Sequence, residues 1–447
     1  MLFRQFVDDD LGCASYLIGD ESSGEAVVVD PAYAIEQYVE EAKKQKARIV
    51  RILETHTHAD HVSGHGRFAL EHDVPISVHP AAQPEFDFDA LEDGQEIALD
   101  EVVVRVLHTP GHRPEHCCFA VTDRSRGDEP WLVITGDSLL VGDAARPDLA
   151  SEAEEGARGM FLSLQRLLDL PDGTQVYPGH VAGSLCGAGM SSMHSSTIGF
   201  ERRFNHKLEL VGRNEDEFVS ETTGSSAPRP PNMDRIVELN RGAFVPARPV
   251  LEPAGGDGVT VLDVRPTREF VGGHVEGALN VPLSGSKFAT KSAFVLTSDE
   301  PVVIHASSQD DAVRAARGLH SVGLFELRGY LTDAEPGETM QPVTVEELDR
   351  LLAEDTVEVL DVREKDERDE GYIVGTKHMP YRMVRKLADD LRGERPIVTI
   401  CSTGNRATIA ASVLQAAGID ARPVLGAGVE DWADRGGDTV QFRRCGN

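Results

Sequence analysis

One unit is written twice in the C-terminal half of this 447-residue chain. The segment LDVRPTREFVGGHVEGALNVP begins at Leu262, and LDVREKDERDEGYIVGTKHMP begins 98 residues later at Leu360. Leu-Asp-Val-Arg, Glu269/Glu367, Gly273/Gly371, Gly277/Gly375 and Pro282/Pro380 coincide. Further on, PVVIHASSQDDA from Pro301 faces PIVTICSTGNRA from Pro396. Self-similarity at a fixed period marks a structural unit, here of roughly 90 residues. Each copy alternates short apolar runs with helical stretches, AVRAARGLHSVG in the first and ATIAASVLQAAG in the second. That alternation predicts an α/β unit with a parallel sheet flanked by helices.

The N-terminal part follows another pattern. The strand signals EAVVVD, ARIVRIL, EVVVRVL and PWLVIT recur, with the helical stretch AIEQYVEEAKKQ among them. Breakers gather in TTGSSAPRPPN (222–232), but NMDRIVELNRG after it reads as a helix. The boundary is therefore placed beyond that helix, in the breaker-rich PARPVLEPAGGDG. The expected domains are residues 1–248, 249–338 and 339–447.

ETHTHADHVSGHG, residues 54–66, crowds His56, His58, Asp60, His61 and His65 into one stretch. It follows ARIVRIL directly, and in an extended segment His56 and His58 share a side. His112 (in HTPGH), Asp137 (in ITGD) and His180 (in VYPGH) also follow apolar runs. Strand ends are where an α/β sheet gathers its site. Any one of these histidines alone reads as a surface or capping residue. Together, imidazole and carboxylate donors at this density point to a metal centre.

In the second repeat the run PIVTI delivers Cys401, then Ser402-Thr403-Gly404-Asn405-Arg406 and a helix. A cysteine at such a turn sits over a helix N-terminus, whose N–H groups favour a thiolate, against the common alternative of a buried structural thiol. Arg406 can hold an anion. The first repeat carries Ala306 and Asp311 at the same places. It has lost the nucleophile and inverted the charge. His305 beside it occupies an inward strand position and reads as core.

A net charge of −31 repels nucleic acid and anionic membrane, so neither is expected as a partner. The acid excess fits a high-salt host and an ordinary acidic protein equally. No apolar run reaches the ~20 residues that span a bilayer, and MLFRQFVDDDLG lacks the apolar core of a secretory signal. Six cysteines, Cys13, Cys117, Cys118, Cys186, Cys401 and Cys445, are scattered without a CxxC pair. A reduced, cytoplasmic setting is expected, with Cys117 and Cys118 in the core.

The run His56 to His61, with His112, Asp137 and His180 in order, resembles the metallo-β-lactamase fold superfamily. The resemblance implies an αββα sandwich with metal at one edge, and two branches compete. Glyoxalase II-like thioester hydrolases imply two zinc ions, one on His56, His58 and His112, the other on Asp60, His61 and His180, with Asp137 bridging. Persulfide dioxygenases imply one Fe(II) on His56, His112 and Asp137, with His58, Asp60, His61 and His180 orienting those ligands. Their substrates are a persulfide and O2, and their products sulfite and thiol.

Both repeats resemble the rhodanese family. The loop CSTGNR is one residue shorter than that of related phosphatases, which favours sulfur transfer through Cys401 and Arg406. Tyr372, Thr376 and His378 depart from the family's usual residues at positions that read as structural. The whole order resembles persulfide dioxygenase–sulfurtransferase fusions, in which sulfite accepts sulfur from a Cys401 persulfide to give thiosulfate, or the reverse. By the same resemblance Cys186 is a candidate sulfur relay, with a small buried thiol as the equal alternative. Two further readings stand beside this one: a hydrolase joined to a sulfurtransferase, and a non-catalytic sulfur carrier or scaffold with a structural metal. The thiol carrying the persulfide is not legible, and Arg202 and Arg203 either contact it or are solvated. The oligomeric state is open, a homo-oligomer included.

Overall fold

The central strands of the N-terminal region, Cys13–Asp20, Glu25–Val29, Cys117–Asp123 and Leu132–Gly136, are buried on both faces because each is covered twice. The computed structural model describes residues 1–147, 152–181, 190–223, 229, 231–256 and 258–442. One six-stranded sheet runs in chain order through Leu2–Asp8, Cys13–Asp20, Glu25–Val29, Arg48–Leu53, Ile76–Val78 and Asp89–Ala90. A second has the order Ser196–Thr197, Gln175–Pro178, Leu132–Gly136, Cys117–Asp123, Val102–His108, Glu96–Leu99. Side chains alternate across each strand. Tyr16, Ile18, Val27 and Val29 of the first sheet meet Val104, Val106, Phe119 and Ile134 of the second in one core. Leu17, Val28 and Ile52 face the other way, onto Tyr38 and Ala42 of helix Glu36–Gln45 and Phe68 of helix His65–His72. On the outer face of the second sheet, Cys118, Ala120 and Val133 pack on Met160, Leu164 and Leu167 of helix Ala153–Leu168. The result is an αββα sandwich. Cys117 and Cys118, expected in the core, are buried in its two different faces.

The two repeats fold alike. The first gives a parallel sheet in the order Leu279–Asn280, Thr260–Asp263, Val302–His305, Leu327–Leu331. The second gives Lys377–His378, Glu358–Asp361, Ile397–Ile400, Ala421–Pro423, again parallel. The shared Leu-Asp-Val-Arg has a physical reason. Arg265 forks onto Asp263 at the strand end and donates to the Gly273 carbonyl at 3.0 Å. Arg363 does the same with Asp361 and with the Gly371 carbonyl at 2.7 Å. This clamp closes each strand end onto the glycine that follows its helix, and both repeats keep its three members. His305 is buried with Nδ1 3.3 Å from Asp263, a core position.

By backbone packing the chain divides into Met1–Arg248 with His320–Gly323, and Pro249–Leu319 with Leu324–Asn447. Among the described residues, no helix is long and apolar enough to cross a membrane.

Candidate metal centre and cysteine loop

The candidate metal ligands come off strand ends, most of them where neighbouring strands pair in parallel. Arg48–Leu53 lies beside Glu25–Val29, so Glu54 and Thr55 emerge next to Asp30. Leu132–Gly136 lies beside Gln175–Pro178, so Asp137 and His180 emerge together. His112 leaves the end of Val102–His108. One ligand atom each of His56, His112 and Asp137 lies within 4.8 Å of the others, all three residues buried.

Their outer atoms are already engaged, which settles their tautomers. Thr55 Oγ1 donates to Asp30 Oδ2 at 2.8 Å and so accepts from His56 Nδ1 at 2.9 Å. The Arg146 carbonyl accepts from His112 Nδ1 at 2.8 Å. Both rings therefore present an unprotonated Nε2. Burial and the surrounding imidazoles hold His56 well below its usual pKa, and burial lowers that of His112. Asp137 Oδ1 accepts from His180 Nδ1 at 2.7 Å, while Oδ2 is buried with no hydrogen-bond partner among the described residues, 3.5 Å from His112 Nε2. Burial works against an ionised Asp137, but the His180 ring keeps its carboxyl below the ordinary range. Two neutral imidazoles and one orphaned carboxylate oxygen fit a divalent cation.

The other expected ligands are placed differently. His180 is bracketed by carboxylates, its Nε2 lying 2.8 Å from Asp60 Oδ2. His58 Nε2 lies 3.3 Å from both Asp30 and Glu54. Burial opposes its charge, but the two acids raise it to about 10. Asp60 and His61 gather with Cys13, whose Sγ is 3.4 Å from Asp60 Oδ2 and 3.5 Å from His61 Nδ1. Burial pushes the Cys13 thiol up. His65, fifth member of the run, hydrogen-bonds Glu54 at 3.0 Å. Cys186 lies outside the described residues. Arg202 is tied to Asp172 and the Leu168 carbonyl, and Arg203 lies over Phe204.

Several participants carried no sequence signal strong enough to find them. Cys13 meets His180 through a strand bridge joining distant parts of the chain. Asn240, on helix Met233–Arg241, donates to the His58 and His61 carbonyls at 3.0 and 2.9 Å and accepts from Ser63 N–H. His116 accepts from Asp137 N–H at 2.9 Å and is held down to about 3 by burial and the nearby His112. Asp30, closing EAVVVD, was legible as a strand end but not as the partner of Thr55.

At the cysteine loop, Gly404 N–H donates to Cys401 Sγ at 3.1 Å. Gly404 has φ of 97°, a left-handed turn that leads into helix Asn405–Ala416. Arg406 forks onto Glu367, each of two bonds 2.6 Å, and reaches Ser402 Oγ at 3.1 Å. In the first repeat, Asp311 closes locally on Ser308. Tyr372, Thr376 and His378 serve the fold: Arg368 stacks on the Tyr372 ring, Thr376 bonds the Ile373 carbonyl and His378 the Arg363 carbonyl.

Comparison with known proteins finds two families along the chain. Residues 8–180 match the metallo-beta-lactamase superfamily, and residues 247–332 and 344–435 each match the rhodanese-like domain. A crystal structure of a metallo-beta-lactamase from Staphylococcus aureus is 30% identical with a TM-score of 0.67, covering 74% of this chain and 98% of its own. The mitochondrial persulfide dioxygenase ETHE1 of Bos taurus is 28% identical over 247 residues, 54% of this chain and 87% of its own length. A probable polyketide biosynthesis zinc-dependent hydrolase, BaeB of Bacillus velezensis, is 31% identical over 193 residues, 42% of this chain and 80% of its own. The chain belongs to the metallo-beta-lactamase superfamily through its N-terminal half and carries two rhodanese-like domains behind it.

Proposed function

We propose that this protein is a sulfur-metabolising enzyme of three domains, 1–248, 249–338 and 339–447, that oxidises a low-molecular-weight persulfide with O2 and passes sulfane sulfur through Cys401. The observation that carries the reading is the isolated trio. His56, His112 and Asp137 converge with their outer atoms satisfied, whereas His180 spends both ring nitrogens on carboxylates. Two histidines and one carboxylate are the donor set of mononuclear non-haem Fe(II). When bound, Fe(II) supplies the redox chemistry that couples dioxygen to sulfane oxidation. The chain's own residues do the rest. Thr55 and Asp30 fix the His56 ring, and His180 and Asp60 fix the Asp137 carboxylate. One persulfide, one O2 and one water give one thiol, one sulfite and two protons. Sulfite then takes the outer sulfur of a Cys401 persulfide, leaving thiosulfate and the free thiolate, or the exchange runs backwards. The likeness to ETHE1 of Bos taurus supports the first activity and the rhodanese match the second.

A second reading rests on Cys13, Asp60 and His61, which could hold another cation, and on His58 Nδ1, buried without a hydrogen-bond partner among the described residues. A dinuclear zinc hydrolase would use these groups. Protein purified anaerobically separates the two. The proposed function expects about one iron per chain, persulfide-dependent oxygen uptake, and loss of both in His112→Ala. Cys401→Ser is expected to abolish thiosulfate-linked transfer and leave oxygen uptake standing. Two zinc ions per chain, with thioester hydrolysis and no response to O2, would overturn it.

A further inference from the structure

The Cys401 loop is walled on one side by the inactive repeat. Thr267 Oγ1 lies 3.4 Å from Asn405 Oδ1, and Ser412 Oγ accepts from Asn280 N–H at 3.0 Å. Arg385 donates to Glu300 at 2.7 Å and to the Val295 carbonyl, and the Phe294 and Tyr381 rings meet edge-on at 5.9 Å. A Cβ built on Gly285 would sit 3.9 Å from Asn405 Nδ2, so the 284–287 turn lies against the first residue of the helix that carries Arg406. Lys287 ends that turn, capping helix Phe288–Val295 from a left-handed backbone position.

The charges around Cys401 then need recounting. Arg406 is closed on both oxygens of Glu367, so this pair brings no net charge to an incoming anion. Lys287 is half-buried and has no carboxylate partner among the described residues. Burial lowers its pKa, and the Arg406 charge lowers it further. A half-buried cation within the influence of another cation is unfavourable until an anion binds close by.

We propose that Lys287, contributed by the inactive repeat, is the cation that binds the sulfur oxyanion substrate of Cys401, thiosulfate or sulfite, while Arg406 and Glu367 hold the loop in shape. This rests on the sulfurtransferase reading. In the transfer the Cys401 thiolate forms a bond to the outer sulfur of thiosulfate. The S–S bond within thiosulfate breaks, and sulfite leaves with its electron pair. Thiosulfate before the transfer and sulfite after it are both dianions, so Lys287 serves binding more than turnover. The inactive repeat is kept, on this account, because it completes its neighbour's site.

The test uses the full chain and two readouts. The first is thiosulfate-to-cyanide sulfur transfer in Lys287→Gln and Lys287→Arg. The expected result is a rise of about tenfold in KM for thiosulfate in Lys287→Gln, the scale of one charge-assisted contact, with kcat changed less than about twofold. Lys287→Arg is expected to restore most of the affinity, and both variants to melt with the parent. The second readout needs no transfer activity: the rate of Cys401 alkylation by anionic iodoacetate relative to neutral iodoacetamide, followed by mass spectrometry. That ratio is expected to fall several-fold in Lys287→Gln. An unchanged KM and an unchanged ratio would overturn the assignment. If the parent transfers no sulfur but the ratio still falls, the sulfurtransferase reading fails and the anion site stands.

Discussion

Thr55 shows how much a neutral side chain can decide. Its hydroxyl links the buried Asp30 carboxylate to the outer nitrogen of His56, with bonds of 2.8 and 2.9 Å. Valine has nearly its shape without the oxygen. In Thr55→Val the His56 Nδ1–H and Asp30 Oδ2 would both lose a buried partner. Metal affinity is expected to fall about 10- to 100-fold, read by chelator competition, and stability by about 1–3 kcal/mol in denaturant titration. Unchanged affinity would mean that the His56 ring is oriented by packing alone. Sequence spacing could mark His56 as a candidate ligand, but the partner on its far side depends on two strands lying in register.

At the scale of elements, the end of strand Leu132–Gly136 leaves no room for a side chain. Gly136 has φ of 46°, and a Cβ there would fall 2.6 Å from His116 Nε2 and 2.8 Å from Thr55 Oγ1. Gly94 has φ of 77° with nothing within 4 Å of an added Cβ. Both alanine variants carry the left-handed backbone penalty of about 1–2 kcal/mol, but only Gly136→Ala must also push apart the groups that hold His56 and Asp137. Thermal melts and metal content are expected to show a modest loss of stability with full metal in Gly94→Ala. Gly136→Ala is expected to show a larger loss with depleted metal. Equal behaviour of the two would contradict the close packing of the strand end. The repeat was legible at this scale because its signature is local: the Asp263–Arg265 and Asp361–Arg363 clamps join residues two apart. The Glu367–Arg406 fork was not, since its partners are 39 residues apart and meet only when two crossovers have packed.

For the whole molecule, two opposing pH effects can be separated by salt. His116 is held down to about 3, so the folded protein stays unprotonated there while the unfolded chain takes a proton near 6.5. That group's contribution is present above about 6.5 and is lost as pH falls toward 3. His58 is raised to about 10; its contribution is full below about 6.5 and is lost as pH rises toward 10. Against these, the −31 net charge makes acidification favourable by relieving self-repulsion. At 1 M salt the screening length is about 3 Å, which removes the long-range repulsion and leaves the buried groups. The metal-free protein in high salt is therefore expected to be most stable near neutral pH, with denaturant midpoints falling on both sides. A midpoint rising steadily from pH 7 to pH 4 in high salt would show that His116 is not buried neutral.

What the sequence determined by itself was whatever repeats or clusters along the chain: the duplicated α/β unit, the ligand-dense run from His56 to His61, the strand ends bearing His112, Asp137 and His180, and the contrast between Cys401 and Ala306. These are short-range patterns, and strand period and turn chemistry write them directly into residue order. Tertiary structure alone decided which of the many ligands stand together and which face one another. It set His180 between Asp137 and Asp60, turned His58 onto Asp30 and Glu54, brought Cys13 and Asn240 to the metal loop, and laid the Lys287 turn against Asn405. The reason is physical. A side chain's identity is local, but its partner is chosen by the register of strands and helices that are distant in sequence, and burial then decides which charges must find each other.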